Sequence, residues 1–195
     1  SGTSIWSKSM RNAPNTQSEY PSIEVGDTWE WLKSALSDAY QAYPFTAINI
    51  STHGACAILL DKKGELALPV MDYEVETLDI EGKDYLEIRP SYEETLSPAL
   101  SGGLNLGRQL WWLKESYPEE FSKVETVLFY PQYWVWKLTG VAVAEATSLG
   151  CHTDLWLPQE GKYSPLIDTL GLRDAFPPVV SCSEDAATLE ENWWY

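Results

Sequence analysis

The chain has 195 residues, of which 44% are hydrophobic and 22% charged. That is enough for one domain whose core buries roughly 70% of the unfolded surface without a metal or disulfide, and too apolar for a disordered or collagen-like class. Thirteen basic against 29 acidic residues leave a net charge of −16, which repels phosphate backbones and so excludes most generic nucleic-acid binding, and which disfavours anionic membranes.

No apolar run approaches the ~20 residues of a membrane helix. No basic stretch followed by an apolar segment opens the chain, so no signal peptide is visible, and the cytoplasmic location expected rests on the cysteines. Cys56, Cys151 and Cys182 are odd in number and lack CxxC spacing. They read as reduced thiols, mostly core filler, and not as a disulfide framework or zinc site. Ten Trp and eleven Tyr suit a thick core, a sugar-facing cleft or a buried partner surface.

In chain order, Trp6–Met10 reads as a short strand inside a polar loop. Asp27, with Glu30 three residues on, gives a helix start. Trp29, Leu32, Leu36, Ala39, Tyr40 and Tyr43 continue at helical spacing until Pro44. Thr46–Ser51 alternates as a strand and runs into Thr52-His53-Gly54. Ala55–Leu60 is almost continuously apolar, the pattern of a strand buried on both faces. Asp61–Gly64 is a hairpin turn, and Glu65–Val70 is the returning arm, with Pro69 marking an end or edge.

Met71–Pro98 is acidic and weakly patterned. It reads as an insertion over one edge, with a hairpin around Glu81-Gly82-Lys83. Leu104–Tyr117 is a helix, Val124–Phe129 a strand, and Pro131–Leu138 a helix closed by Gly140. Ser164–Gly171 repeats that logic, with Ser164 as N-cap, Pro165 at the first position and a closing glycine. Phe176–Val180 is extended. The class is α/β.

His53 sits in a bend at the end of a sheet, where Gly54 leaves room for a turn and a ligand. The alternative is a histidine hydrogen-bonded within the core. His152 pairs with Asp154, shuttles protons, or is structural. Asp72 and Glu74 flank Tyr73, an arrangement that suits a clamp on sugar hydroxyls, or else a solvated acidic loop. Cys56 and Cys151 lack a neighbouring base that would make either a nucleophile. The Gly2-Thr3 turn lacks the rest of a phosphate loop.

Several stretches together resemble the N-terminal domain of the FGGY carbohydrate kinases. Ile50-Ser-Thr-His-Gly-Ala55 with Asp61-Lys-Lys-Gly64 and Leu68-Pro-Val70 is similar to that family's substrate-side hairpin. Leu104–Leu113 with Tyr117-Pro-Glu-Glu-Phe121 follows in order. Tyr130-Pro-Gln-Tyr-Trp-Val-Trp-Lys-Leu-Thr-Gly140 is similar to a family signature, and Glu145–Trp156 and Leu170–Pro178 continue it. The Thr-His-Gly and Gln-Tyr-Trp versions look nearest to the L-fuculose or L-rhamnulose kinase side.

The resemblance implies a ribonuclease H-like, actin-like ATPase lobe: a mixed sheet with helices on both faces, here lacking its first hairpin. It implies a single partial domain over 1–195, the sugar lobe of an ATP-dependent kinase, with Thr52, His53, Asp72 and Glu74 binding the substrate. The catalytic Asp and the ATP-binding domain are expected beyond Tyr195. ATP and Mg2+ serve the parent enzyme, and none is expected on this fragment, which alone is inactive. A homodimer through an exposed sheet edge or the cleft is expected. The alternatives are a Trp-rich, non-catalytic carbohydrate-binding module with exposed rings on a β-sandwich, and a glycosidase with two acids.

Overall fold

The structure is a computed structural model that describes residues 2–76, 78, 84–183, 185 and 187–189. The expected hairpin at Glu81–Lys83 lies outside the described residues.

The centre of the fold is the antiparallel pair β2 (Ala57–Leu60) and β4 (Thr126–Phe129), in the register Ala57↔Phe129 to Leu60↔Thr126. The unbroken apolar run in β2 is explained by burial on both sides. Ala57 and Leu59 join Val127 and Phe129 in one core cluster, while Ile58 and Leu60 join Leu128 in another. Helix α4 (Leu106–Ser116) packs Leu106, Leu110 and Leu113 into the first cluster. Helices α1 (Val25–Ala42) and α6 (Tyr130–Thr139) supply Val25, Tyr133 and Trp134 to the second.

Helices therefore lie on both faces of the central pair, but the single mixed sheet expected from sequence is not what forms. Among the described residues the strands make four two-stranded ladders. Besides β2–β4 they are β1 (Ser22–Ile23) with β3 (Val70–Met71), antiparallel; β5 (Ala144–Glu145) with β8 (Val179–Val180), parallel; and β6 (Trp156–Leu157) with β7 (Lys162–Tyr163), antiparallel. Proline explains part of this fragmentation. The returning arm after the Asp61–Gly64 turn pairs with β2 only through the Leu60–Leu66 bridge and the Ala67 N–H to Leu59 C=O bond, then Pro69 interrupts and β3 turns to β1.

Other expectations are corrected. Trp6–Met10 and Thr46–Ser51 pair with no strand; alternation without a neighbour to bond to leaves an extended chain. The first helix starts two residues earlier than Asp27, with Glu24 at the N-cap and Asp27 in the first turn. Ser164 does not cap α8 (Leu166–Leu170). Its hydroxyl donates to the Asp154 carbonyl at 2.6 Å instead. The weakly patterned stretch contains two short helices, α2 (Tyr85–Ile88) and α3 (Tyr92–Thr95). Two further short helices are α5 (Pro118–Phe121) and α7 (Ala146–Leu149). Cys56 is buried, but Cys151 and Cys182 are exposed and do not fill the core.

No described helix is long and apolar enough to cross a membrane. Every tryptophan among the described residues is buried or half-buried. With the helical layers, this removes the β-sandwich carrying a row of exposed rings.

Candidate functional site

The β2–β4 register decides what meets His53. Because the strands are antiparallel, the residues just before β2 lie beside those just after β4. The Tyr130 N–H donates to the Cys56 carbonyl at 3.1 Å. The end of β3 closes in as well, since the Cys56 thiol donates to the Met71 carbonyl at 3.3 Å. Three segments, Thr52–Cys56, Met71–Glu74 and Tyr130–Trp134, thus converge at one end of the central ladder.

His53 lies between two rings. Tyr130 stacks on it at 4.7 Å with planes 27° apart, and Tyr73 tilts against it at 4.9 Å and 54°. Thr52, His53 and Gly54 are otherwise exposed, so the bend stands on an open face and not in a closed crevice. Burial of the ring between its neighbours lowers the His53 pKa, and the nearby Asp72 carboxylate opposes this. Burial pushes the Cys56 thiol up to about 12, helped by Asp72 and opposed by a backbone hydrogen bond from Tyr73. A thiol held protonated in this way is no nucleophile. Burial, and then the neighbouring Cys56, push the Tyr130 hydroxyl up to about 12, against a hydrogen bond with Trp134.

The residues named from sequence separate here. Asp72 comes to His53, and its Oδ1 accepts the Glu74 N–H at 3.0 Å. The Thr52 hydroxyl donates to the His53 carbonyl at 2.9 Å, which leaves its lone pairs for a ligand. Glu74 is exposed and serves the Asp72 turn through its backbone N–H.

A buried polar network supports the bend from below. Asp154 accepts from Tyr85 Oη at 2.6 Å, from Arg89 Nη2 at 2.8 Å and from Asn105 Nδ2 at 2.9 Å. Asn105 caps α4 by accepting the Arg108 N–H at 3.0 Å. One turn into that helix, Gln109 is fully buried and donates to the Ala55 carbonyl at 2.7 Å, directly behind Gly54. Asp154 is therefore committed to Arg89, and of the readings open to His152 the pairing with Asp154 is not the one that forms. The His152 ring instead backs the bend. A Cβ on Gly54 would stand 3.7 Å from its Nε2. Gly103 lets a neighbouring turn approach Tyr73 closely, since a Cβ there would lie 2.9 Å from the Tyr73 carbonyl oxygen.

Sequence reasoning missed Tyr130, Gln109, Arg89 and the whole Asp154 network. Tyr130 is recoverable only once β2 is paired with β4. Asn105, directly before the apolar periodicity of Leu106, Leu110 and Leu113, is a legible N-cap.

A separate hollow of about 700 Å³ lies away from His53, walled by Trp156, Tyr163 and α8 among others. Its charged rim is internally satisfied: Lys162 pairs with Glu160 at 2.6 Å and Arg173 pairs with Asp168. The His53 end, with an exposed imidazole and an adjacent carboxylate, is the better-equipped surface.

Comparison with known proteins decides the family. Residues 25–193 match the N-terminal domain of the FGGY family of carbohydrate kinases. The chain belongs to this family. An L-xylulose/3-keto-L-gulonate kinase of Escherichia coli K12 is 31% identical over 145 residues, covering 70% of this chain and 28% of that protein. An L-fuculokinase of the same organism is 24% identical over 168 residues, 85% of this chain and 35% of that protein. The crystal structure of a carbohydrate kinase from Novosphingobium aromaticivorans superposes with a TM-score of 0.84 at 40% identity, over 93% of this chain and 39% of that one. This FGGY domain thus spans about a third of the length of the curated relatives it matches. Its fold is the mixed α/β lobe of the actin-like kinases.

Proposed function

We propose that this FGGY domain is the sugar-binding lobe of an ATP-dependent carbohydrate kinase, with the Thr52–Gly54 bend as its substrate contact. The observation that carries the reading is the His53 imidazole, exposed at its edge, held between Tyr73 and Tyr130 and flanked by Asp72. A neutral imidazole donates or accepts one bond to a sugar hydroxyl, and the carboxylate accepts another. Thr52 adds an acceptor from the same turn.

Phosphoryl transfer also needs a base for the hydroxyl proton and charges that hold the phosphates in line. FGGY kinases use ATP and Mg2+. Among the described residues no group of three or more His, Cys, Asp or Glu is placed to hold a metal ion. In this reading the base and the groups that hold the metal belong to a second lobe of the parent enzyme. The reaction of the whole protein is then transfer from ATP to a ketose hydroxyl, in a cleft that closes between two lobes and excludes water. The relatives' names divide between neutral ketoses and one keto acid.

The test is a titration of the 195-residue chain with L-xylulose and with L-fuculose, following the His53 ring signals by NMR, beside an ATPase assay. Millimolar-range binding with no ATP hydrolysis is expected. Phosphorylation of a sugar by this chain alone overturns the assignment.

A further inference from the structure

The charges around the bend say more about its ligand than the hydrogen bonds do. Asp72 follows β3 directly. Its neighbours touch the site on both sides, Met71 through the Cys56 thiol and Tyr73 through the His53 ring. Its carboxylate acts on both His53 and Cys56. Glu74 and Glu76 are exposed just beyond it.

Most of the described cations are engaged elsewhere. Lys62 and Lys63 sit in the turn after β2, at the opposite end of that strand from His53. Arg89 is bonded to Asp154. The charge of Arg108 registers on Tyr85 in the same buried network. Lys137 lies over the Trp29 and Trp136 rings, at 4.9 and 5.6 Å. Lys114 donates to the Thr169 carbonyl at 2.6 Å, and Lys8, Lys33, Lys123, Lys162 and Arg173 pair with carboxylates outside the three segments that meet at the bend.

We propose that this site selects neutral ketoses over sugar acids, with the Asp72 carboxylate as the discriminating group. The proposal rests on the reading of the Thr52–Gly54 bend as the sugar site. A hydroxyl near Asp72 donates to it, so a neutral sugar gains a charge-assisted bond. A substrate carboxylate in the same place can donate nothing and meets a like charge, while the described cations named above are engaged elsewhere. A site built to take sugar acids needs the reverse arrangement, a guanidinium or ammonium facing the ligand.

The experiment titrates the 195-residue chain with L-xylulose and, separately, with 3-keto-L-gulonate, reading the His53 ring signals. L-xylulose is expected to bind at least about tenfold more tightly, the scale of one uncompensated like-charge contact near a surface. Asp72→Asn keeps an acceptor for the Glu74 N–H and is expected to narrow the gap by improving the acid. Raising salt toward ~1 M on the unaltered chain is expected to narrow it too, since screening acts on charge and not on fold. The acid binding as tightly as the ketose while both move His53, or a gap that neither salt nor Asp72→Asn changes, overturns the proposal and leaves the sugar site standing. His53 signals unmoved by either compound overturn the sugar site and the proposal with it.

Discussion

Two polar regions lie within one short path of each other and are built on opposite terms. In the Asp154 network the charges are paired away from water: the carboxylate is fully buried and accepts three bonds, one from an arginine whose side chain is only 12% exposed. At the His53 bend the groups are exposed and half-answered. The ring has aromatic walls, but its edge and the Thr52 lone pairs face water. Burial and charge pairing make the first region a support, and exposure makes the second a surface that can still bond to something. Gln109 joins them, reaching from the helix that Asn105 caps to the carbonyl behind Gly54.

If the difference is real, damage to the network should appear as lost stability. Asp154→Ala leaves the Arg89 guanidinium buried without its counter-charge, and the expected loss is about 3–5 kcal/mol in denaturant unfolding. Adding Arg89→Met should recover much of it, because the uncompensated charge is then gone. A loss below about 1 kcal/mol for the single variant, on the scale of a surface pair, would make the network ornamental.

Gly103 tests the boundary between the regions. Its added Cβ would meet the Tyr73 carbonyl oxygen at 2.9 Å and the Tyr73 Cα at 3.0 Å. Backbone cannot yield as a flexible side chain does, so Gly103→Ala should cost about 1–3 kcal/mol. Because Tyr73 walls His53, the same variant should shift the His53 ring signals in the folded protein. Stability lost with those signals unmoved would place Tyr73 outside the site.

Within the bend the effects should fall on binding. Tyr130→Leu removes the stacked ring, a contact worth about 0.5–1.5 kcal/mol. Sugar affinity should drop by a factor of about two to ten, while Tyr130→Phe, which keeps the ring and loses only the hydroxyl bond with Trp134, stays near the unaltered value. Equal losses in both variants would shift the role from the ring to the hydroxyl.

The sequence announced these regions unequally. The apolar run of Ala55–Leu60 and the glycine of Thr52-His53-Gly54 mark a buried strand entered through an exposed turn, and both are there. The partners of His53 were illegible because they depend on long-range pairing. Tyr130 is seventy-seven positions away by number, and only the Ala57↔Phe129 register brings it alongside. The Asp154 network was hidden for a related reason. Arg89 and Tyr85 lie in a stretch with no clear period, and an acidic residue among 29 carries no sign that it is the buried one. Thr46–Ser51 failed in the other direction: alternation reports a face to bury, not a neighbour to bond.

The smallest and most diagnostic effect concerns the proton on His53. Burial between Tyr73 and Tyr130 lowers its pKa and Asp72 opposes, while Cys56 stays a neutral thiol at ordinary pH and His152 backs the bend behind Gly54. The unfolded chain therefore takes up this proton first as pH falls below the ordinary histidine value of about 6.5. Between that value and the lower folded one the unfolded state holds more protons, so stability rises with pH. The contribution is fully present above about 6.5 and is lost as pH drops through the folded pKa. Two variants should move the NMR midpoint of His53 in opposite directions. Tyr130→Leu lets water in and raises it toward the ordinary value; Asp72→Asn removes the opposing charge and lowers it further. Movement of both variants in the same direction would mean that something other than the ring and the carboxylate holds the imidazole.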